Sequence, residues 1–277
     1  MSDTNSSACD HNCSSCSASC VQRDPASMVI PANKNSKIGK VIAVVSGKGG
    51  VGKSAVTSLS AVAASRMGYS TAILDADITG PSIPRIFGVT EKTMGTEDGM
   101  MLPSETKTGI KLMSVNLILD NETDPVAWRG PVISSVVKQF WTDVAWGNVD
   151  CMFVDMPPGT GDVMLTTFQS LPVDGIIIVT SPQELVTVIV EKALKLAEKM
   201  GVPILGVVEN MSYLPCPHCN EKIYIFGESH IEEICGKYGL KLISQIPLTP
   251  EMAERSDKGS IEDIDLPCID QLGMVLS

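Results

Sequence analysis

Apolar residues along the chain fall into two kinds of run, and the way these runs alternate predicts the architecture. Short, continuous apolar stretches, many of them β-branched, occupy 40–46, 71–74, 110–115, 150–154, 175–180, 204–208 and 240–246. Apolar character at consecutive positions over a strand's length marks strands buried on both faces. Between them the apolar residues recur at helical spacing, which predicts helices over 54–67, 131–142, 161–170, 184–200, 228–238 and 250–258, the first stopped by Gly68. Strands interleaved with helices pair in parallel through right-handed crossovers. The chain therefore reads as an α/β protein with a doubly wound, mostly parallel sheet and helices on both faces. Ligands of such a sheet gather at the C-terminal ends of its strands. Residues 88–109 carry turn formers without a clear period and are expected to form a loop or small excursion.

Composition narrows the class of function. The 21 basic and 32 acidic residues leave a net charge of −11, which argues against a nonspecific nucleic-acid or anionic-membrane surface. No apolar stretch approaches the roughly 20 residues of a membrane-spanning helix, and the polar start, MSDTNSSACDHNCSSC, has no signal-peptide core. Neither nucleic acid nor membrane is expected as a partner, and the expected location is cytoplasmic. Residues 1–36 are rich in Ser, Asn, Asp and Cys and lack periodicity, which predicts a flexible or metal-organised tail ahead of one folded domain over 37–277. The chain has nine cysteines. In a reducing compartment they point to metal rather than to a disulfide framework.

The segment Gly47-Lys48-Gly49-Gly50-Val51-Gly52-Lys53-Ser54 is a full phosphate-binding loop, with Gly47, Gly52, Lys53 and Ser54 filling the required positions in order. Its glycines let backbone N–H groups turn inward around a phosphate; Lys53 is expected to reach the β/γ-phosphates, and the Ser54 hydroxyl to ligate Mg²⁺. The strand predicted before it and the helix predicted after it supply the required setting. ATP is thus the expected ligand, with Mg²⁺.

Lys48 is one lysine more than the loop needs. The string GKGGVGKS resembles the deviant phosphate loop of the MinD/ParA/nitrogenase-iron-protein ATPases, P-loop NTPases of the SIMIBI type. In that group this lysine crosses a dimer interface to the partner's nucleotide, so the resemblance implies a homodimer. A cation supplied in trans suits phosphoryl transfer, which depends on positioning and on neutralising charge. DADITGPSIPR, holding Asp75 and Asp77, looks like the group's first switch, and the resemblance makes Asp77 the residue that orients the attacking water. DMPPGTGD looks like the second switch, where Asp155 holds the Mg²⁺ shell; a carboxylate suits that hard, water-retaining ion. Asn210, in VVENMS, corresponds to the position that pairs with adenine, and Pro247, in IPLTPEM, falls in the loop that flanks the base. Taken singly, each aspartate also suits a helix cap, and the asparagine a turn.

Cys216-Pro217-His218-Cys219 is half of a tetrahedral thiolate site. Redox pairs, structural zinc and iron–sulfur clusters all use CxxC, although this pair lacks the helix that a thioredoxin-type site wants. A two-fold dimer presents the pair twice and so supplies four thiolates at its axis. Together with Trp128-Arg129-Gly130-Pro131 and ENMSYLPCPHC, the strings resemble the Mrp/Nbp/ApbC-type iron–sulfur cluster carriers over almost the whole folded region. That resemblance implies a [4Fe-4S] cluster bridging two subunits through Cys216 and Cys219, delivery to apo-proteins, and slow ATP hydrolysis. Cys9, Cys13, Cys16 and Cys20 are separated by three, two and three residues, closer than the N-terminal motif of some relatives. They could wrap a cluster or zinc, with His11 as a substitute ligand, or form a plain cysteine-rich tail. Cys151, Cys235 and Cys268 are expected to fill space, and His218 and His230 to be structural.

Two other readings remain open at this point: a MinD/ParA-like positioning ATPase, and a nucleotide switch whose CPHC pair binds zinc across the dimer. The acidic stretch Ile261-Glu262-Asp263-Ile264-Asp265-Leu266 argues against the first, which wants a basic amphipathic tail for a membrane.

Overall fold

The structure, a computed structural model, describes residues 29–119, 130–159, 161–182 and 186–276. Strand β1 (Ser36–Ser46) runs up the middle of the sheet and feeds helix α1 (Lys53–Arg66) through the glycine-rich loop. There follow β2 (Thr71–Asp75), α2 (Ile83–Phe87), β3 (Ser104–Glu105), β4 (Lys111–Met113), α3 (Gly130–Thr142), β5 (Gly147–Asp155), α4 (Asp162–Ser170), β6 (Gly175–Thr180) and α5 (Val186–Met200). The chain continues through β7 (Ile204–Asn210), the short hairpin of β8 (Leu214–Pro215) and β9 (Lys222–Ile223), α6 (Ile231–Tyr238), β10 (Leu242–Ile246), α7 (Pro250–Asp257) and α8 (Asp270–Gly273). The main sheet has eight strands in the order β10-β7-β6-β1-β5-β2-β4-β3, and every pair but β3 with β4 is parallel.

The doubly wound expectation is met, and the strand period shows why. Successive side chains of a strand point to opposite faces. In β1, Val41, Ala43 and Val45 join one buried cluster with Trp141, Phe168 and Val190 of α3, α4 and α5. Ile42 and Val44 join the other, with Leu59 of α1, Ile83 of α2 and Leu272 of α8. Each apolar residue moved from water to such a core contributes about 1.5–3 kcal/mol, so a strand buried on both faces is anchored twice over. Helix α1 is buried almost all round, and its Ser and Thr hydroxyls bond back to carbonyls one turn earlier, as Thr57 does to Lys53 and Ser60 to Val56.

The structure adds two short helices that the apolar spacing did not predict, α2 and α8, and differs from the sequence expectation in further respects. The 88–109 excursion ends in an edge strand, β3, paired antiparallel to β4. The CPHC segment is spanned by the β8–β9 hairpin, too short to have a period of its own. Upstream of β1, Ile30 N–H donates to Ser170 O and Ile30 O accepts from Trp141 Nε1, so the chain packs on the core before residue 36. Among the described residues, no helix is long and apolar enough to cross a membrane.

Candidate functional site

The phosphate-binding segment closes the C-terminal end of β1 and opens α1, whose cap, Gly52, has φ 75° and no side-chain capping bond. The first-turn N–H groups of α1 are therefore free for an anion. A cleft of about 300 Å³ lies over this end of the sheet, lined by Lys48, Gly49, Gly50, Lys53, Ser54 and Asp77 among others. A Cβ on Gly49 would meet nothing within 4 Å, whereas one on Gly52 would come within 2.2 Å of Asn210 Nδ2.

Register brings the aspartates together. Asp75 of β2 pairs with Asp155 of β5, and Asp155 lies beside Val44 of β1. Asp155 is buried and saturated: it accepts from Ser54 Oγ at 2.6 Å and Thr57 Oγ1 at 2.7 Å, and Lys53 Nζ lies 2.7 Å from its Oδ1. Asp77 Oδ2 is 4.0 Å from the same ammonium. Lys53 is buried against Asp155, and among the described residues no further acceptor completes its three N–H groups, which leaves donors for a ligand. Burial first, then the nearby Asp155, pushes the Asp75 carboxyl up to about 8, against the pull of Lys53 and the 2.9 Å bond from Ser114 Oγ. Burial also raises Asp77, partly offset by Lys53. Asp155 and Asp77 lie beside one ammonium, with the raised Asp75 carboxyl behind them, so the group is short of positive charge, and the Lys53 ammonium lies in the wall of the glycine-lined cleft. The donor set thus fits a divalent cation and a polyphosphate together.

Asn210 ends β7 on the other side of β1; its Nδ2 donates to Val51 O at 2.9 Å, which ties the glycine loop to the sheet. Pro247 is buried immediately after β10, where Ile246 pairs with Asn210. Beyond Asn210 the chain leaves the sheet and carries the cysteines out on the hairpin. Cys219 is exposed and Cys216 partly so. The turn is closed by Cys216 N–H to Glu221 O and Asn220 N–H to Cys216 O, both 2.9 Å. Backbone N–H groups of His218 and Cys219 point at the Cys216 sulfur and hold its pKa below the usual thiol range. Among the described residues no group of three or more potential metal ligands forms, so one chain offers this site two thiols.

The ParA family profile, described as NUBPL iron-transfer P-loop NTPase, matches residues 37–268. The chain belongs to that family. This NTPase is 40% identical over 265 residues to the iron-sulfur cluster carrier protein of Clostridium perfringens, covering 89% of its own length and 93% of the relative's. It is 42% identical over 219 residues to the protein of the same name from Aquifex aeolicus; there the match covers 79% of this chain but 60% of the relative. Among solved structures, the ADP complex of the Archaeoglobus fulgidus nucleotide-binding protein superposes with a TM-score of 0.76 at 41% identity, covering 83% of this chain and 90% of that one.

The structure gathers Lys48, Lys53, Ser54, Asp77, Asp155 and Asn210 of the NTPase at one end of the sheet and leaves Cys216 and Cys219 outside that cleft. Cys9, Cys13, Cys16, Cys20, His11, Trp128 and Arg129 lie outside the described residues. The sequence reading missed Thr57 and Ser114, which orient Asp155 and Asp75. The position of Thr57, three residues after Ser54 and so on the same helix face, was the available signal. Ser114 gave none, because only the β2–β4 pairing brings it near Asp75.

Proposed function

We propose that this chain is an ATP-binding iron–sulfur cluster carrier: two copies hold a [4Fe-4S] cluster as cargo through Cys216 and Cys219, and hand it to apo-proteins with slow ATP hydrolysis. The observation that carries the reading is a solvent-accessible thiol pair, Cys216 and Cys219, on the hairpin that leaves β7 just beyond Asn210, the residue whose side chain holds the phosphate loop. The names of the relatives support it. Free thiols suit the cytoplasm.

In this reading the N–H groups of residues 49–54 and the Lys53 ammonium bind the β/γ-phosphates, and Ser54 and Asp155 hold Mg²⁺. When bound, that ion neutralises charge on the phosphates. Lys48 reaches the nucleotide of a second copy. Asp77, whose proton affinity burial raises, accepts a hydrogen bond from the attacking water and orients it. One N–H of Asn210 stays on Val51, and its remaining amide groups serve the adenine edge beside Pro247. Lys53→Ala should abolish nucleotide binding, while Lys48→Ala should leave the fold intact and lower turnover.

Anaerobic reconstitution with iron and sulfide tests the cargo. The native chain should take up about four irons per pair of chains, and the Cys216→Ser/Cys219→Ser chain should lose that cluster; iron remaining in the variant would report on Cys9, Cys13, Cys16 and Cys20. Uptake of zinc alone would replace the carrier reading with the zinc-bridged nucleotide switch.

A further inference from the structure

Glu209, the penultimate residue of β7, is buried and takes no part in the nucleotide cleft. Its carboxylate accepts from three neutral donors: Ser212 Oγ at 2.6 Å, Ser229 Oγ at 2.7 and 2.8 Å, and Gln245 Nε2 at 3.0 Å. Ser212 and Ser229 stand at the two ends of the excursion that bears Cys216 and Cys219. One side chain therefore clasps both ends of the thiol-bearing segment. The Ser229 hydroxyl also accepts from Ile231 N–H at the start of α6, and Ser212 N–H donates to Ile246 O.

The neighbouring residue faces the other way. Strand alternation sends Asn210 to the opposite side of β7, where it holds Val51 O of the phosphate loop. Immediately beyond, Met211 adopts φ 58°, a left-handed conformation uncommon outside glycine and kept only where its surroundings enforce it. A solvent-open cleft of about 290 Å³ lies against Glu209, lined by Phe226, Ser229, His230 and the start of α5 among others.

We propose that Glu209 is a positioning residue that sets the Cys216/Cys219 segment and, through its bonded neighbour Asn210, makes that setting depend on whether the phosphate loop holds nucleotide. The proposal deepens the carrier reading and rests on it only for what the thiols hold. A ligand that draws on the Val51 carbonyl or the Asn210 amide shifts the backbone that also carries Glu209. The clasp then passes that shift to Ser212 and Ser229.

The test is the rate of iodoacetamide alkylation at Cys216 and Cys219, read by mass spectrometry on the full, metal-free chain with and without Mg-ADP. In the native chain nucleotide should change the rates several-fold. In Glu209→Met, which keeps the length but offers no oxygen to Ser212, Ser229 or Gln245, the dependence should vanish while Mg-ADP affinity stays within about twofold, a shift worth well under RT ln 10. Should that variant fail to fold, Ser212→Ala/Ser229→Ala removes the same clasp and must give the same loss. An alkylation rate insensitive to nucleotide in the native chain, or equally sensitive in native and clasp-free chains, overturns the proposal. Failure to reconstitute a cluster while the nucleotide dependence holds would sink the carrier reading instead and leave the clasp standing.

Discussion

The phosphate loop and the cysteine segment both leave the C-terminal ends of parallel strands, β1 and β7, yet one is braced by side-chain bonds and the other stands out as two thiols on a short hairpin. Around the loop, Asp155 accepts from both Ser54 and Thr57 and pairs with Lys53, and Asn210 fixes the loop's backbone. Around the cysteines, the bonds are those of one turn and a two-pair hairpin, and Ile223, Tyr224, Ile225 and Phe226 beside them are exposed. A nucleotide site must be preorganised before its ligand arrives, because stabilisation of developing charge depends on dipoles already in place. Under the proposed reading, a site that takes up and releases cargo needs thiols within reach, and its remaining ligands come from a second copy.

The contrast is sharpest for Asp155→Ala. That change leaves Lys53 buried without its close counter-ion, and we expect a loss of about 3 kcal/mol in denaturant unfolding, together with loss of nucleotide binding. A midpoint within error of the native chain would mean the cluster around Asp155 is no more rigid than the cysteine turn. Next comes Gly52→Ala, which forces a Cβ to 2.2 Å from Asn210 Nδ2 at φ 75°. It should cost about 1–2 kcal/mol, whereas Gly49→Ala, facing open space, should stay within about 0.5 kcal/mol. Equal costs would show that the loop relaxes freely. The metal-free Cys216→Ser/Cys219→Ser chain should also stay within about 0.5 kcal/mol of native, and a larger loss would show that the thiols contribute to the fold.

The smallest effect is chemical and depends on pH. Backbone N–H groups lower the Cys216 pKa, so its thiolate fraction and alkylation rate persist to pH values below those of an ordinary cysteine. Burial pushes Cys151 up to about 12 and also raises Cys268 and Cys235, so these should stay unmodified through neutral pH in the folded chain. Uniform labelling at neutral pH would erase the distinction. Asp75 gives a second pH readout. Folded, it keeps a proton up to about 8, which the unfolded chain releases near 3.8; the folded state binds more protons in between, so the nucleotide-free chain should lose stability as pH rises across that window.

Most of the nucleotide site was legible in the residues because its parts are local. Lys53 and Ser54 lie in one short string, and Asp75 and Asp155 each end an apolar run. The pairing Asp75↔Asp155 was not legible, since strand order is a property of the whole sheet. Nor was the grip of Asn210 on Val51, which joins residues 159 positions apart.

The sequence by itself determined the kinds of element, their alternation, the phosphate loop and the presence of a thiol pair, because periodicity and short motifs are carried by neighbouring residues. The tertiary structure decided which carboxylates share one ammonium, which hydroxyls orient them, and that Glu209 and Asn210 face opposite ways from one strand toward two different sites. Those outcomes depend on register and crossover, which bring distant segments within hydrogen-bond reach only once the sheet is assembled.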